Sequence, residues 1–420
     1  MPERKSTKNQ NSKRSAGARS APRGATPAVG RLSEFSARFF NNFFKAQSRD
    51  FYLLIGAIIF IVAFGLAMVL SASFVDSLRD NNNAFSIFNK QIFSALAGFA
   101  ALLVLASLPI EFIKRMVVPA SGVAIAVQLL VTLTGLGTSV NGNKNWINIL
   151  GFTVQPSEFL KLFGIVFVAR FMYDRQNEFH DPRRLWFPLA AIAAGFIVPV
   201  VLGGDVGTAI VMAAFFFAMW AAAGLPRQLV NAYAVLALIS IPIIMFSNSS
   251  RRGRIMAWLN PETADPNDYN WQTTHGIWAF AAGGIQGVGL GQSKLKWSWI
   301  PEAENDFIFA IIGEETGLIG ALALIVLFIF LAFMLIRIAT RTRDLYRRMV
   351  VLGVMFWITI QAFINIAVVL TLLPVLGVPL PLISAGGSSL LATLMALGVV
   401  LGIERENHAL GPVSPKRSRR

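Results

Sequence analysis

Apolar runs of about twenty residues recur along the chain between short polar or Gly/Pro-containing breaks, and each is long enough to cross a hydrocarbon core about 30 Å thick. Ten such spans are read, at 52–73, 92–109, 116–136, 158–174, 185–202, 207–225, 229–246, 308–336, 349–373 and 382–403. The pattern predicts an all-α membrane protein of ten transmembrane helices, with a long extracytoplasmic loop, 247–307, between spans 7 and 8. An even number of crossings leaves both termini on one side. Lys and Arg concentrate on that side: the loop with Arg337, Arg341, Arg343, Arg347 and Arg348 contrasts with 374–381, which has no charge. The positive-inside rule then makes the termini cytoplasmic. No cleavable signal peptide is expected, because the first apolar run begins only near residue 52.

Composition strengthens this picture. Of 420 residues, 55% are hydrophobic and only 14% charged, whereas soluble domains carry about 25% charged residues. An ordinary cytosolic enzyme is excluded. With no Cys, the chain has no disulfide, Cys zinc site or iron-sulfur cluster, and three His argue against a His-rich metal site. The net charge of +15 would suggest nucleic acid in a soluble protein, but here much of it lies in tails beside the membrane. Residues 1–50 read as a basic, disordered cytoplasmic tail. Within it, Phe35, Phe39, Phe40, Phe43 and Phe44 recur at helical spacing among basic residues, which predicts an interfacial helix near 32–47 on anionic lipids. Packing of these aromatics on the membrane bundle is the alternative. Residues 404–420 form a second basic tail, and 51–403 the membrane domain.

The loop 247–307 is long enough to hold helices of its own. Its cluster Gly283, Gly284, Gly287, Gly289 and Gly291 is no phosphate loop, since no GxxxxGK followed by Ser or Thr occurs and the cluster faces away from cytoplasmic ATP. Carboxylates beside the bilayer are costly and mark pathways or reaction sites. The candidates are Glu158, Asp205, Asp306, Glu314 and Glu315, of which the adjacent Glu314 and Glu315 favour a structural role over catalysis. Asp306, between a polar run and Phe307-Ile308-Phe309, is either a partly desolvated general base with a raised pKa or the cap of the next helix. Glu158 precedes Lys161 by three residues, the spacing of an ion pair at a helix start, and Asp205 reads as a cap. Outward cations form a second set: Lys144 in one loop, and Arg251, Arg252, Arg254, Lys294 and Lys296 in the loop that holds Asp306. Such a set suits a diphosphate headgroup, or else forms a solvated basic face.

These residues match a family. Asn141-Gly142 with Trp146-Ile147, Gln155-Pro156-Ser157-Glu158, Asp205 with Gly207-Thr208, Pro301-Glu302-Ala303 with Asp306-Phe307-Ile308-Phe309-Ala310 and Gly313-Glu314-Glu315, and Leu380-Pro381-Leu382-Ile383-Ser384 with Gly386-Gly387-Ser388-Ser389 resemble the SEDS proteins (shape, elongation, division and sporulation) from about residue 52 to 403. The Pro-Glu-Ala before the Asp and Gly-Glu-Glu after it look more like the division branch than the elongation branch. The resemblance implies a ten-helix peptidoglycan glycosyltransferase that polymerises lipid II at the outer face of the bacterial cytoplasmic membrane, at the division septum. It would release undecaprenyl diphosphate and work with a class B penicillin-binding protein and other divisome membrane proteins. Asp306 takes the place of the family's essential Asp. Trp146, Gln155, Glu158, Asp205 and Ser388 join the cations as the expected substrate-binding set. No cofactor is demanded, although a divalent cation, Mg or Mn, on the diphosphate fits the chemistry. No nucleic-acid partner is expected.

The chain departs from the family at two points. Asn145, not Arg, stands before Trp146, with Lys144 one position earlier, and Ala303-Glu304-Asn305 replaces Ala-His-Thr, so that Glu304 is expected to raise the Asp306 pKa or to help hold a metal. Other functional classes remain: a lipid II flippase, a non-catalytic division scaffold, and an elongation polymerase.

Overall fold

The computed structural model describes residues 47–140, 143–149, 151–261, 270–297 and 299–410. The expected Phe-rich helix near 32–47, the basic N-terminal tail, Asn141-Gly142 and residues 411–420 lie outside the described residues. The account below concerns the unit Ala46–Arg420.

In chain order the helices are α1 Arg49–Asn81, α2 Ser86–Ser107, α3 Ile110–Leu133, α4 Pro156–Asp174, α5 Pro182–Leu202 and α6 Val206–Ala222. They continue with α7 Arg227–Phe246, α8 Ser249–Leu259, α9 Trp271–Gly283, α10 Ile308–Arg341, α11 Leu345–Val369 and α12 Gly387–Ala409. Eight of these are long and apolar enough to cross a membrane: α1, α2, α3, α5, α7, α10, α11 and α12. The two other expected spans, α4 and α6, are the charged and the short ones, with 19 and 17 residues. Both bury much of their surface against neighbouring helices. That position explains how α4 carries Glu158 and Lys161 at 1% exposure each. The ammonium of Lys161 donates to Glu158 Oε1 at 2.8 Å and to Gln361 Oε1 of α11 at 2.9 Å.

Close helix approach uses small residues, as expected where lipid supplies no hydrophobic drive. On α12, a Cβ at Gly398 would lie 2.6 Å from the Leu102 carbonyl oxygen of α2. At the start of α1, Asp50, 1% exposed, pairs with Arg337 at 3.0 Å and also with Arg341, both near the end of α10.

The loop between α3 and α4 is not a plain connector. It folds as a three-stranded antiparallel meander, β1 Thr138–Val140, β2 Asn143–Ile149 and β3 Phe152–Val154, in the order β1-β2-β3. Trp146, Ile147, Ile149, Phe152 and Val154 favour strands, and Gly151 at φ 86° makes the turn that pairs Ile149 with Phe152. The fold is therefore helical with a small β element that hydropathy alone does not announce. The loop 247–307 does hold its own helices, α8 and α9.

Candidate active site

A cavity of about 290 Å³ opens where the starts of α4, α6 and α12 meet the loop before α10. Gln155 and Glu158 come from the start of α4, Asp205 and Thr208 from the start of α6, and Ser388 from the start of α12. Trp146 enters from β2, Arg251 and Arg254 from α8, and Glu302 and Asp306 from the loop before α10. Helix starts carry free N–H groups and the positive end of the helix dipole, so three of them beside two guanidiniums favour an anion here.

The two aspartates play different parts. Asp205 caps α6: its Oδ1 accepts from the Thr208 N–H at 2.9 Å and its Oδ2 from Gln155 Nε2 at 2.8 Å. Burial raises its pKa, the Thr208 bonds oppose that, and the charge of Glu158 adds to it. Asp306 caps nothing. The residue at the cap position of α10 is Phe307, and no hydrogen bond to the Asp306 carboxylate is found among the described residues. Asp306 is half-buried, with its carboxylate facing the cavity. Removal from water is the main reason its pKa is pushed up to about 7; Glu302, Asp205 and Glu304 add to the rise, and Arg254 opposes it. The Glu304 contribution matches the expectation from sequence, although it is the smallest of these.

The loop that carries Asp306 is clamped from below. Asn365 Nδ2 of α11 donates to the Asp306 carbonyl at 2.8 Å, the Ser384 hydroxyl donates to the Asn305 carbonyl at 2.7 Å, and the Ala385 N–H donates to the Glu304 carbonyl at 2.8 Å. Gly377, at φ 67°, passes close beneath the carboxylate, and a Cβ there would lie 3.6 Å from Asp306 Oδ2.

The expected cation set divides. Arg251 and Arg254 line the cavity; the Arg251 guanidinium is braced on the Gly204 carbonyl at 3.0 Å, whereas Arg254 makes no hydrogen bond among the described residues. Arg252 is exposed on α8 outside the cavity, and Lys144 also stays outside, its N–H donating to the Gly203 carbonyl at 2.8 Å. Lys294 and Lys296 belong to another cluster. The Lys294 N–H donates to Glu314 Oε1 at 2.9 Å, and the Lys296 ammonium, buried, meets Glu315 at 3.2 Å. Sharing a loop with Arg251 misleads because α9 packs on α10 at Gly313 and Glu314, so that the lysines after it meet Glu314 and Glu315.

Asn145 is fully buried. It donates to the Gly203 carbonyl at 3.0 Å and accepts from Gln128 Nε2 at 2.8 Å, so it fixes the turn before Asp205 and offers the cavity no charge. Sequence reasoning gave no role to Asn365, Ser384 or Gln272. A lone Asn in the apolar run of α11 is a costly residue, and that cost was the available signal.

Comparison with known proteins agrees with this geometry. A family profile described as "Cell cycle protein" and covering FtsW, RodA and SpoVE matches residues 51–409. The probable peptidoglycan glycosyltransferase FtsW of Mycobacterium tuberculosis is 37% identical over 356 residues, 85% of this chain and 68% of that protein. Stage V sporulation protein E of Bacillus subtilis is 34% identical over 361 residues, 86% of this chain and 98% of that protein. Among solved structures, a chain from a study of polymerization and crosslinking by a peptidoglycan synthase complex superposes with a TM-score of 0.70. It is 24% identical and covers 86% of this chain and 99% of its own. The rod shape determining protein RodA of Thermus thermophilus gives a TM-score of 0.64 at 23% identity, covering 87% of this chain and 99% of its own. These two likenesses establish the shared fold.

Proposed function

Because the chain belongs to the FtsW/RodA/SpoVE family of cell cycle proteins, we propose that it is a peptidoglycan glycosyltransferase that polymerises lipid II during septal wall synthesis, with Asp306 as general base. The observation that carries this reading is the Asp306 carboxylate, held without a hydrogen bond in a cavity beside two arginines, with its pKa pushed up to about 7. A base poised near the working pH combines a large ionised fraction with a useful proton affinity.

In this reaction the 4-hydroxyl oxygen of one lipid II attacks the anomeric carbon of the growing glycan. Asp306 takes the hydroxyl proton as the new C–O bond forms. The bond from the anomeric carbon to the diphosphate breaks with its electron pair, and undecaprenyl diphosphate departs. Arg251, Arg254 and the α12 start stabilise the charge that develops there. Among the described residues no group of three His, Cys, Asp or Glu is placed to hold a metal ion; a divalent cation, Mg or Mn, on the diphosphate would need only one or two carboxylates beside the phosphates.

The topology follows from the same reading. With α4 and α6 counted beside the eight apolar helices, ten crossings put both termini in the cytoplasm and the cavity at the outer face. A class B penicillin-binding protein is the partner that would crosslink the product, in keeping with the synthase complex among the structural neighbours. Purified chain with that partner and lipid II is expected to yield glycan strands. Movement of labelled lipid II between leaflets without polymer would replace the transferase with a transporter.

A further inference from the structure

We propose that residues 271–297 form a shelf lying in the outer interface of the bilayer, with an exposed apolar face that binds lipid. A straight helix of 34 residues, as in α10, would be about 51 Å long, far more than a hydrocarbon core of about 30 Å. The helix breaks at Gly317, whose φ of 66° and ψ of −169° are open to glycine and to few other residues. From Gly317 to Arg337 the twenty residues measure about 30 Å, so the inner segment alone fills the core. An independent ruler agrees. Asp50 of α1 pairs with Arg337 at the inner end, and Ser71, 21 residues further along α1, donates to Glu315 Oε1 at 2.5 Å. The break thus sits at the outer edge of the hydrocarbon.

The shelf is fastened to that break. Gly276 and Gly283 let α9 lie against Phe307 and against Gly313-Glu314. The following loop satisfies the broken backbone: the Val288 N–H donates to Glu314 O at 3.0 Å, Gly289 to Glu315 O at 3.0 Å, Leu318 to Gly284 O at 2.9 Å and Ile319 to Ile285 O at 3.2 Å. Its polarity is inverted relative to a loop in water. Lys296, Ser293, Glu314 and Glu315 are buried, while Ile285, Leu290 and Trp297 are 68%, 66% and 62% exposed. Exposed apolar residues scattered singly need no explanation, but Ile285 adjoins Leu318 and Ile319, which lie exposed on the span itself. The patch therefore continues the lipid-facing surface, and tryptophan is the residue that favours that depth. Trp271 Nε1 donates to the Trp299 carbonyl and Gln272 Nε2 to the Pro301 carbonyl, both at 2.7 Å, so the shelf also fixes the height of the Asp306 loop.

The chain lacks cysteine, which makes single-site labelling direct. Nitroxides on Ile285→Cys and Leu290→Cys, in the whole chain in lipid nanodiscs, are expected to meet dissolved oxygen several-fold more readily than a water-soluble nickel chelate. A label on Gln176→Cys, in an exposed turn, should show the opposite ratio. Preference for the nickel chelate at 285 and 290 would place the shelf in water, and protection from both reagents would place it under protein; either result overturns the proposal. Should a labelled variant unfold, fluorescence decides: lipids brominated near the headgroup must quench Trp297→Phe less than the parent chain, and equal quenching contradicts lipid contact.

Discussion

Asn365 holds Asp306 by its backbone, one amide nitrogen donating to the Asp306 carbonyl and to the Val378 carbonyl, both at 2.8 Å. That side chain thereby bridges the loop that carries Asp306 and the loop after α11, which the Ser384 and Ala385 bonds also join. Asn365→Leu removes both donors, and a small displacement of a reacting group can cost about a hundredfold in rate. The expected result is a fall in kcat of at least about tenfold with little change in KM. Steady-state polymerisation rates at varied lipid II check it.

The pH profile should report Asp306. Its carboxylate acts when ionised, so the rate is expected to fall about tenfold for each pH unit below about 7 and to level off above it. The sign of the neighbouring charges gives a sharper check. Glu302→Gln removes a negative charge that raises the Asp306 pKa, so the acid limb must move to lower pH. A limb that stays in place would show that another group titrates.

The cations should separate by function. Arg254→Ala is expected to raise the KM for lipid II, because this guanidinium faces the cavity. Lys294→Ala should leave both kinetics and stability nearly unchanged, within about 0.5 kcal/mol, since only its backbone makes a contact of note. Lys296→Met leaves buried Glu315 without its ammonium, a loss on the order of 3–5 kcal/mol for a broken buried pair. Thermal unfolding in detergent, read beside the kinetics, distinguishes the three.

Asn145 should matter for folding rather than for charge. Asn145→Leu removes one acceptor from Gln128 Nε2, which keeps Thr132 Oγ1 at 3.3 Å, and one donor from the Gly203 carbonyl, which keeps the Lys144 N–H at 2.8 Å, at about 0.5–1.5 kcal/mol for each bond lost. A lowered unfolding temperature with the pH profile preserved is the expected outcome.

Hydropathy made the spans legible because lipid allows few backbone arrangements. Motif order placed Asp306, Gln155, Glu158, Asp205 and Ser388, and the structure brings these to one cavity. What stayed hidden depends on a third dimension. Lys294 and Lys296 read as partners of Arg251 because one loop holds all three, yet the break at Gly317 and the run of α9 turn them toward Glu314 and Glu315. Glu314 and Glu315, whose place inside the helix favours a structural role over catalysis, meet Ser293, Lys294 and Lys296 beside that break. The strands at 138–154 escaped notice because they are short and lie between helices whose apolar signal dominates. Asp306 as base or as cap could not be separated by spacing, since both uses favour an Asp just before an apolar helix; the cap position held by Phe307 separates them.

The most direct test is polymerisation of lipid II by the purified chain with a class B penicillin-binding protein, comparing the parent with Asp306→Ala. Loss of strand formation by about a hundredfold or more, with insertion and thermal unfolding preserved, is the predicted result. Strand formation by Asp306→Ala at the parent rate would contradict the assignment of the base.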